Sequence, residues 1–261
     1  MFTLERRTQL RDQLLRDAAE DRRIGGAALT GSVAEGREDR WSDVDLAFGV
    51  AEGADLEEVL ADWTKRMYER HQAVHHVDVR AGAWVYRVFL RRDTLQVDLA
   101  FVPAADFRAL GPSFRMISGT AREARHAPQP DAAWLVGMAW LYALHARSAL
   151  ARSKLWQAEY MISGARDHAL ALACVRLGLP AAHARGMDQL PAEVTAPFEG
   201  ALVGRLDADA MAHAFRVVIA GLRREIEAAD AGLARRLAEP LQQLAVDCDR
   251  FLGHAEQGSY R

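Results

Sequence analysis

Lysine is nearly missing from this chain: of its 33 basic residues only Lys65 and Lys154 are lysines, and the rest are arginines. Cysteine is as scarce. Cys174 and Cys248 are the two, and neither belongs to a Cys-x-x-Cys or Cys/His cluster, which excludes a zinc knuckle or a disulfide framework and leaves buried free thiols as the expectation. No apolar run reaches the ~20 residues of a membrane-spanning helix. The stretch from Met1 to Arg11 is charged where a secretory leader would be apolar, so a cytoplasmic location is expected. Nor is there a surplus of positive charge. A formal net charge of −3 and a pI near 6.3 argue against a broad basic surface for nucleic acid and favour a small-molecule partner.

What the chain does have is apolar material and one compact motif. Half of its 261 residues are hydrophobic, enough for a real core in one large or two modest domains. The motif is Gly31-Ser32, a spacer of ten residues, then Asp43-Val44-Asp45-Leu46. It reads as strand, Gly-Ser turn, short helix and a second strand. Side chains two apart on a strand share a face, so Asp43 and Asp45 present their carboxylates together while Val44 and Leu46 point the other way, into the core. Paired carboxylates suit a divalent cation, and Mg²⁺ in particular takes oxygen ligands from one or two carboxylates and from substrate phosphates. Gly31, without a Cβ, lets the backbone approach a phosphate closely, and Ser32 adds a hydroxyl.

The pattern G31-S32-x10-D43-V44-D45 resembles the nucleotidyltransferase superfamily typified by DNA polymerase beta. The resemblance implies transfer of a nucleoside monophosphate, AMP from ATP, to a hydroxyl, assisted by two Mg²⁺ ions, with pyrophosphate leaving. It also implies a third carboxylate on a strand beside the first two. Asp98, in Gln96-Val97-Asp98-Leu99-Ala100-Phe101, fits by its alternation between apolar neighbours, and Asp78 in His76-Val77-Asp78-Val79 is the rival. His75 and His76 point to opposite faces of a strand and so cannot share one ion. Candidate nucleotide contacts are Gly31, Ser32, Ser42 and Lys154. Arg37 and Arg40, in the polar spacer, either reach a triphosphate or belong to a solvated loop.

Around the motif the expected fold class is α+β: an amino-terminal mixed β-sheet with flanking helices, followed by a carboxy-terminal helical bundle. Leu4, Leu10, Leu14, Leu15 and Ala18 recur at helical spacing, and Gly25-Gly26 is expected to end that helix. A strand over 27–30 delivers the Gly-Ser turn. A helix over 55–70 carries Leu56, Val59, Leu60, Trp63 and Met67 on one stripe, and strands follow at 73–79, 84–90 and 94–102, with Arg91-Arg92-Asp93 as a turn. These elements give a nucleotidyltransferase domain over 1–105. Residues 106–130, punctuated by Gly111-Pro112, Gly119 and Pro128, read as a connection, and 131–261 as the acceptor-binding bundle. Asp131 is the expected N-cap, a break is expected near 148–153, 181–204 reads as loop and short helix, and helices are expected over about 207–228 and 231–252.

Such a domain followed by helices is similar to the antibiotic nucleotidyltransferases that modify aminoglycosides or lincosamides, which makes a small hydroxyl compound the expected acceptor. On a helix, Arg152, Trp156, Glu159, Ser163 and Arg166 fall on one face. Within that segment Lys154 suits a phosphate contact and Glu159 a general base for the acceptor hydroxyl. The bland alternative is a charge stripe anchored by a core tryptophan. Two other functions compete: an enzyme of a toxin-antitoxin system acting on RNA or protein, for which Arg176 and His183 have a suggestive spacing interrupted by Gly178 and Pro180, and a non-catalytic nucleotide-binding module.

Overall fold

The computed structural model describes residues 2–126 and 128–255, with side chains up to residue 247. The chain divides into two compact units, Met1–Ala127 and Pro128–Arg261.

The amino-terminal unit opens with α1 (Leu4–Glu20), capped by the Thr3 hydroxyl, which accepts the Arg6 N–H at 3.3 Å. Its buried stripe is Leu10, Leu14 and Ala18. The helix ends at Glu20, before the glycine pair, and β1 (Ile24–Thr30) takes Gly25 and Gly26 into the sheet. Gly26 is there for packing and not as a helix stop: a Cβ on it would lie 2.6 Å from the Phe107 ring, and one on Gly49 of the neighbouring strand would lie 2.8 Å from it.

After β1 come α2 (Gly31–Ala34), β2 (Val44–Val50), α3 (Leu56–Arg70), β3 (Ala73–Ala81), β4 (Trp84–Arg91), β5 (Gln96–Pro103) and β6 (Phe114–Gly119). The six strands form one sheet in the order β3-β4-β5-β2-β1-β6. Only the β2–β5 pair is parallel, so the sheet is mixed, as the sequence suggested. Asp55 caps α3, its carboxylate accepting the N–H groups of Glu57 and Glu58 at 2.7 and 3.1 Å. The buried stripe of α3, Val59, Leu60, Trp63 and Met67, covers one sheet face with α1. Trp63, Phe48 and Phe101 meet there with ring centroids 4.8 to 5.8 Å apart, and all three are fully buried. Truncating such an aromatic side chain to alanine costs about 3–5 kcal/mol.

The opposite face is covered only in part. Ala28, Ala47, Ala100 and Val102 lie under Trp84 and Phe107, and the remainder of that face carries the polar residues described below. One strand lies in the segment read as a connection: β6, within 106–130, pairs with β1 along the sheet edge. Its glycine-proline borders read as loop. Alternation of Phe114 and Met116, which pack on this second face, is the signal that identifies it.

In the carboxy-terminal unit, Asp131 caps α4 (Ala132–Leu150), accepting the Ala133 N–H at 2.8 Å, and α5 (Leu155–Arg176) follows the expected break. Ser153 turns the chain there with φ of 53°. Ala139, Ala143 and Ala146 of α4 and Ala158, Ala165 and Ala169 of α5 are fully buried, so small side chains let the two helices pack closely. Gly164 belongs to the same contact, because a Cβ there would overlap the Tyr142 ring. Two single 3₁₀ turns and α6 (Ala192–Glu199) lead to α7 (Ala208–Ala229) and α8 (Ala231–Ala255). Met211, Phe215, Val218, Leu222 and Ile226 of α7 are buried. Cys174 is a free, buried thiol, and Cys248 lies outside the residues whose side chains are described. Among the described residues no helix is long and apolar enough to cross a membrane.

Candidate metal centre

Parallel pairing of β2 with β5 sets Asp45 directly opposite Asp98. Their neighbours Val44, Leu46, Val97 and Leu99 are buried on the other face, so the pleat turns both carboxylates to the partly covered side. Asp43 joins them from the residue before β2. Each of the three is partly buried and offers a carboxylate oxygen, and these oxygens lie within 4.8 Å of one another. An all-oxygen set of this size fits a hard divalent cation such as Mg²⁺ completed by phosphate or water, and a softer ion would call for nitrogen or sulfur donors that are not in this set. Asp78 is on the opposite face. It accepts two bonds at 2.7 Å from Arg87, which also donates to the Leu60 carbonyl and the Thr64 hydroxyl, making the rival carboxylate a structural partner of α3. His76, bonded to the Tyr68 hydroxyl at 2.9 Å, faces the same way as Asp78.

Gly31 touches the site in a way the motif does not advertise. It has φ of +61°, a left-handed conformation that glycine adopts without steric cost, and a Cβ there would overlap the Asp45 carboxylate. The close backbone approach is therefore to a metal-ligand candidate in the protein itself. Ser32, next in α2, is partly exposed beside it.

The loop before β2 is fixed from a distance. Arg7 of α1, 2% exposed, donates to the carbonyls of Asp39 and Ser42, the latter at 3.0 Å, and pairs with Glu38 at 2.9 Å. Ser42, a candidate nucleotide contact by sequence, spends its hydroxyl inside this loop: it accepts the Asp39 N–H at 2.9 Å and donates to the Asp39 carboxylate at 3.1 Å. The Trp41 N–H and that Ser42 bond hold the Asp39 carboxyl below the usual range. Arg37 pairs with Glu35, and Arg40 stacks over the Trp41 ring at 4.4 Å. Arg7 gives no motif signal, since its carbonyl partners are 32 and 35 residues away. Gln96 does: two residues before Asp98, it shares that residue's face. Its amide nitrogen donates to Asp43 Oδ2 at 3.2 Å and to Asp98 Oδ1 at 3.0 Å.

Burial raises the Asp98 carboxyl to about 6; the Gln96 bond opposes the rise and the Asp43 charge adds to it. An unfolded aspartate titrates near ~3.9. The folded chain therefore holds an extra proton between roughly pH 4 and 6, and the stability linked to that proton is lost as pH rises through this window. A cation that needs the ionised carboxylate competes with the same proton. Saturating Mg²⁺ is thus expected to raise Tm more at about pH 7.5 than at about pH 5, measured by scanning fluorimetry; equal shifts at both would contradict it.

The other two candidates belong to the carboxy-terminal unit. Lys154 is exposed and precedes α5 instead of lying on it, as does Arg152, so the five-residue helical stripe begins only at Trp156. Trp156 is 77% exposed, which rules out the core-anchor reading. Glu159, partly buried, accepts the Ser163 hydroxyl at 2.8 Å, and Arg166 pairs with its neighbour Asp167. Arg176 is taken up by an ion pair with the buried Glu225 at 2.8 Å, and His183 sits in a 3₁₀ turn with φ of 55°.

The sheet gathers three carboxylates beside a Gly-Ser turn, an arrangement able to hold a divalent cation, and comparison with protein families says what kind of domain this is similar to. Residues 11–100 match the family described as "Nucleotidyltransferase domain". The amino-terminal unit is a nucleotidyltransferase domain, and the protein is an enzyme of nucleotidyl transfer. A solved structure described as an aminoglycoside 6-adenyltransferase from Bacillus subtilis aligns over 89% of this chain and 96% of its own, at 15% identity and a TM-score of 0.41. A search of curated proteins finds no match.

Proposed function

We propose that the protein transfers AMP from ATP to a hydroxyl of a small molecule in a Mg²⁺-dependent reaction, an aminoglycoside or lincosamide being the acceptor class to test first. The observation that carries the reading is the convergence of Asp43, Asp45 and Asp98 within a matched nucleotidyltransferase domain. These three would hold the metal, which when bound neutralises triphosphate charge and polarises the reacting phosphoryl group. Gly31 keeps the backbone close to Asp45, and in this reading the Ser32 hydroxyl would donate to a phosphate oxygen. In this reading residues 1–105 hold the nucleotide half of the reaction and the helices from 131 onward hold the acceptor, with Lys154 contacting phosphate and Glu159 taking the proton from the acceptor hydroxyl.

The two competing readings have less support. Arg176 is committed to Glu225, which leaves the Arg176–His183 spacing without a free arginine for RNA chemistry. A non-catalytic module has no use for three carboxylates held together against their mutual repulsion. Incubation with each nucleoside triphosphate, Mg²⁺ and a panel of hydroxyl compounds, scored for pyrophosphate and for acceptor mass, tests the proposal; acceptor-dependent pyrophosphate with ATP supports it, and modification of RNA alone sinks the small-molecule reading. Glu159→Gln is expected to lower kcat by about 10²–10⁴-fold with KM values nearly unchanged. Loss of thermal stability with an intact rate would instead make Glu159 a structural partner of Ser163.

A further inference from the structure

Asp45 and Asp98 are held by strands, but Asp43 is not. It lies one residue outside β2, at the end of the loop that Arg7 fastens through backbone carbonyls. Those bonds fix where the Asp43 main chain runs and leave its carboxylate to be oriented by something else. The group in contact with it is the Gln96 amide, which bonds Asp43 Oδ2 and Asp98 Oδ1 at once, at 3.2 and 3.0 Å. A primary amide has two N–H donors, so one side chain satisfies both oxygens and ties the loop acid to the strand acid.

From this geometry, and resting on the metal-dependent reading above, we infer that Gln96 is a positioning residue: it sets the Asp43 carboxylate relative to Asp98 so that the remaining oxygens of both are presented to the metal. The chemistry favours glutamine in this place. Its donors draw two like charges toward one point without adding a positive charge that would repel the metal, as lysine or arginine would. Each carboxylate accepts at several lone-pair positions, so accepting one N–H leaves oxygens for coordination. Partners that orient metal ligands in this manner are worth about 10–100-fold in metal affinity.

The alternative is that the amide merely stands where a cation would and is displaced by it, in which case removing it would tighten metal binding. Gln96 is exposed at the start of β5, so Gln96→Met and Gln96→Ala are expected to fold, with Tm unchanged in chelator. Mn²⁺ binding to the full-length protein with a non-hydrolysable ATP analogue, followed by electron paramagnetic resonance, should show Kd raised about tenfold in both variants. In turnover the Mg²⁺ concentration for half-activation should rise in parallel, while kcat at saturating Mg²⁺ stays within about twofold of wild type. An unchanged or lowered Mn²⁺ Kd in the variants, with the wild type binding normally, overturns the role of Gln96 alone. Failure of the wild type itself to take up Mn²⁺ overturns the metal-dependent reading and this inference together.

Discussion

Asp45→Ala is expected to lower kcat/KM for nucleotidyl transfer by roughly three orders of magnitude or more, about 4 kcal/mol of transition-state stabilisation. Asp45 is the central member of the cluster, in register with Asp98 on the adjacent strand and against Gly31 on the turn. Removing it takes away one candidate ligand and leaves a two-carboxylate remnant. The fold should survive, because deleting a charge that crowds two others relieves repulsion and the buried faces of β2 and β5 are untouched. The measurements are turnover at saturating Mg²⁺ and far-ultraviolet circular dichroism. A folded variant that keeps more than about a tenth of wild-type activity would falsify the three-carboxylate site.

Gly31→Ala comes next in expected effect, although glycine has no side chain to offer to the chemistry. Two penalties coincide at this position. The left-handed backbone, φ +61°, costs a non-glycine residue about 1–2 kcal/mol, and the added methyl would overlap the Asp45 carboxylate. The turn or the aspartate must move. A displacement of an ångström in a reacting constellation is enough to cost about 10²-fold, so kcat is expected to fall by at least that factor. Activity loss far larger than the loss in Tm is the signature. If Gly31→Ala unfolds the protein, Gly31→Ser is no better, but Asp45→Ala in the Gly31→Ala background, which removes the carboxylate a Cβ would overlap, should regain stability if the clash is the cause; no regain would mean that strain in the turn, and not Asp45, is what the glycine relieves.

How much of this was readable from residues alone differs from element to element. The sheet face and the three acids were legible because a strand repeats every two residues: Asp45 and Asp98 each stand between apolar neighbours that are buried, and Asp43 shares the face of Asp45 two residues ahead of it. The break between α4 and α5 was legible from length. Less so was β6, since it is an edge strand whose side chains are mostly exposed and whose borders are turn residues. The glycine pair at 25 and 26 misled because what Gly26 accommodates, the Phe107 ring, is distant in sequence. Gln96 obeyed the same alternation as Asp98 and could have been singled out. Arg7 could not, because an arginine that bonds backbone carbonyls leaves no trace in the identity of its partners.

The parallel closure that makes the cluster also dictates when it can exist. The β3–β4 and β4–β5 pairs are hairpin neighbours and form from nearby residues, whereas Asp43 and Gln96 stand 53 residues apart, joined only once β2 has docked beside β5 across the whole intervening α3–β3–β4 segment. Contacts of such separation demand that loop-closure entropy be spent before they return any stabilisation, so they are late events in folding. A divalent cation held by all three carboxylates would therefore find its full ligand set only on the finished sheet, where it would slow opening more than hasten assembly.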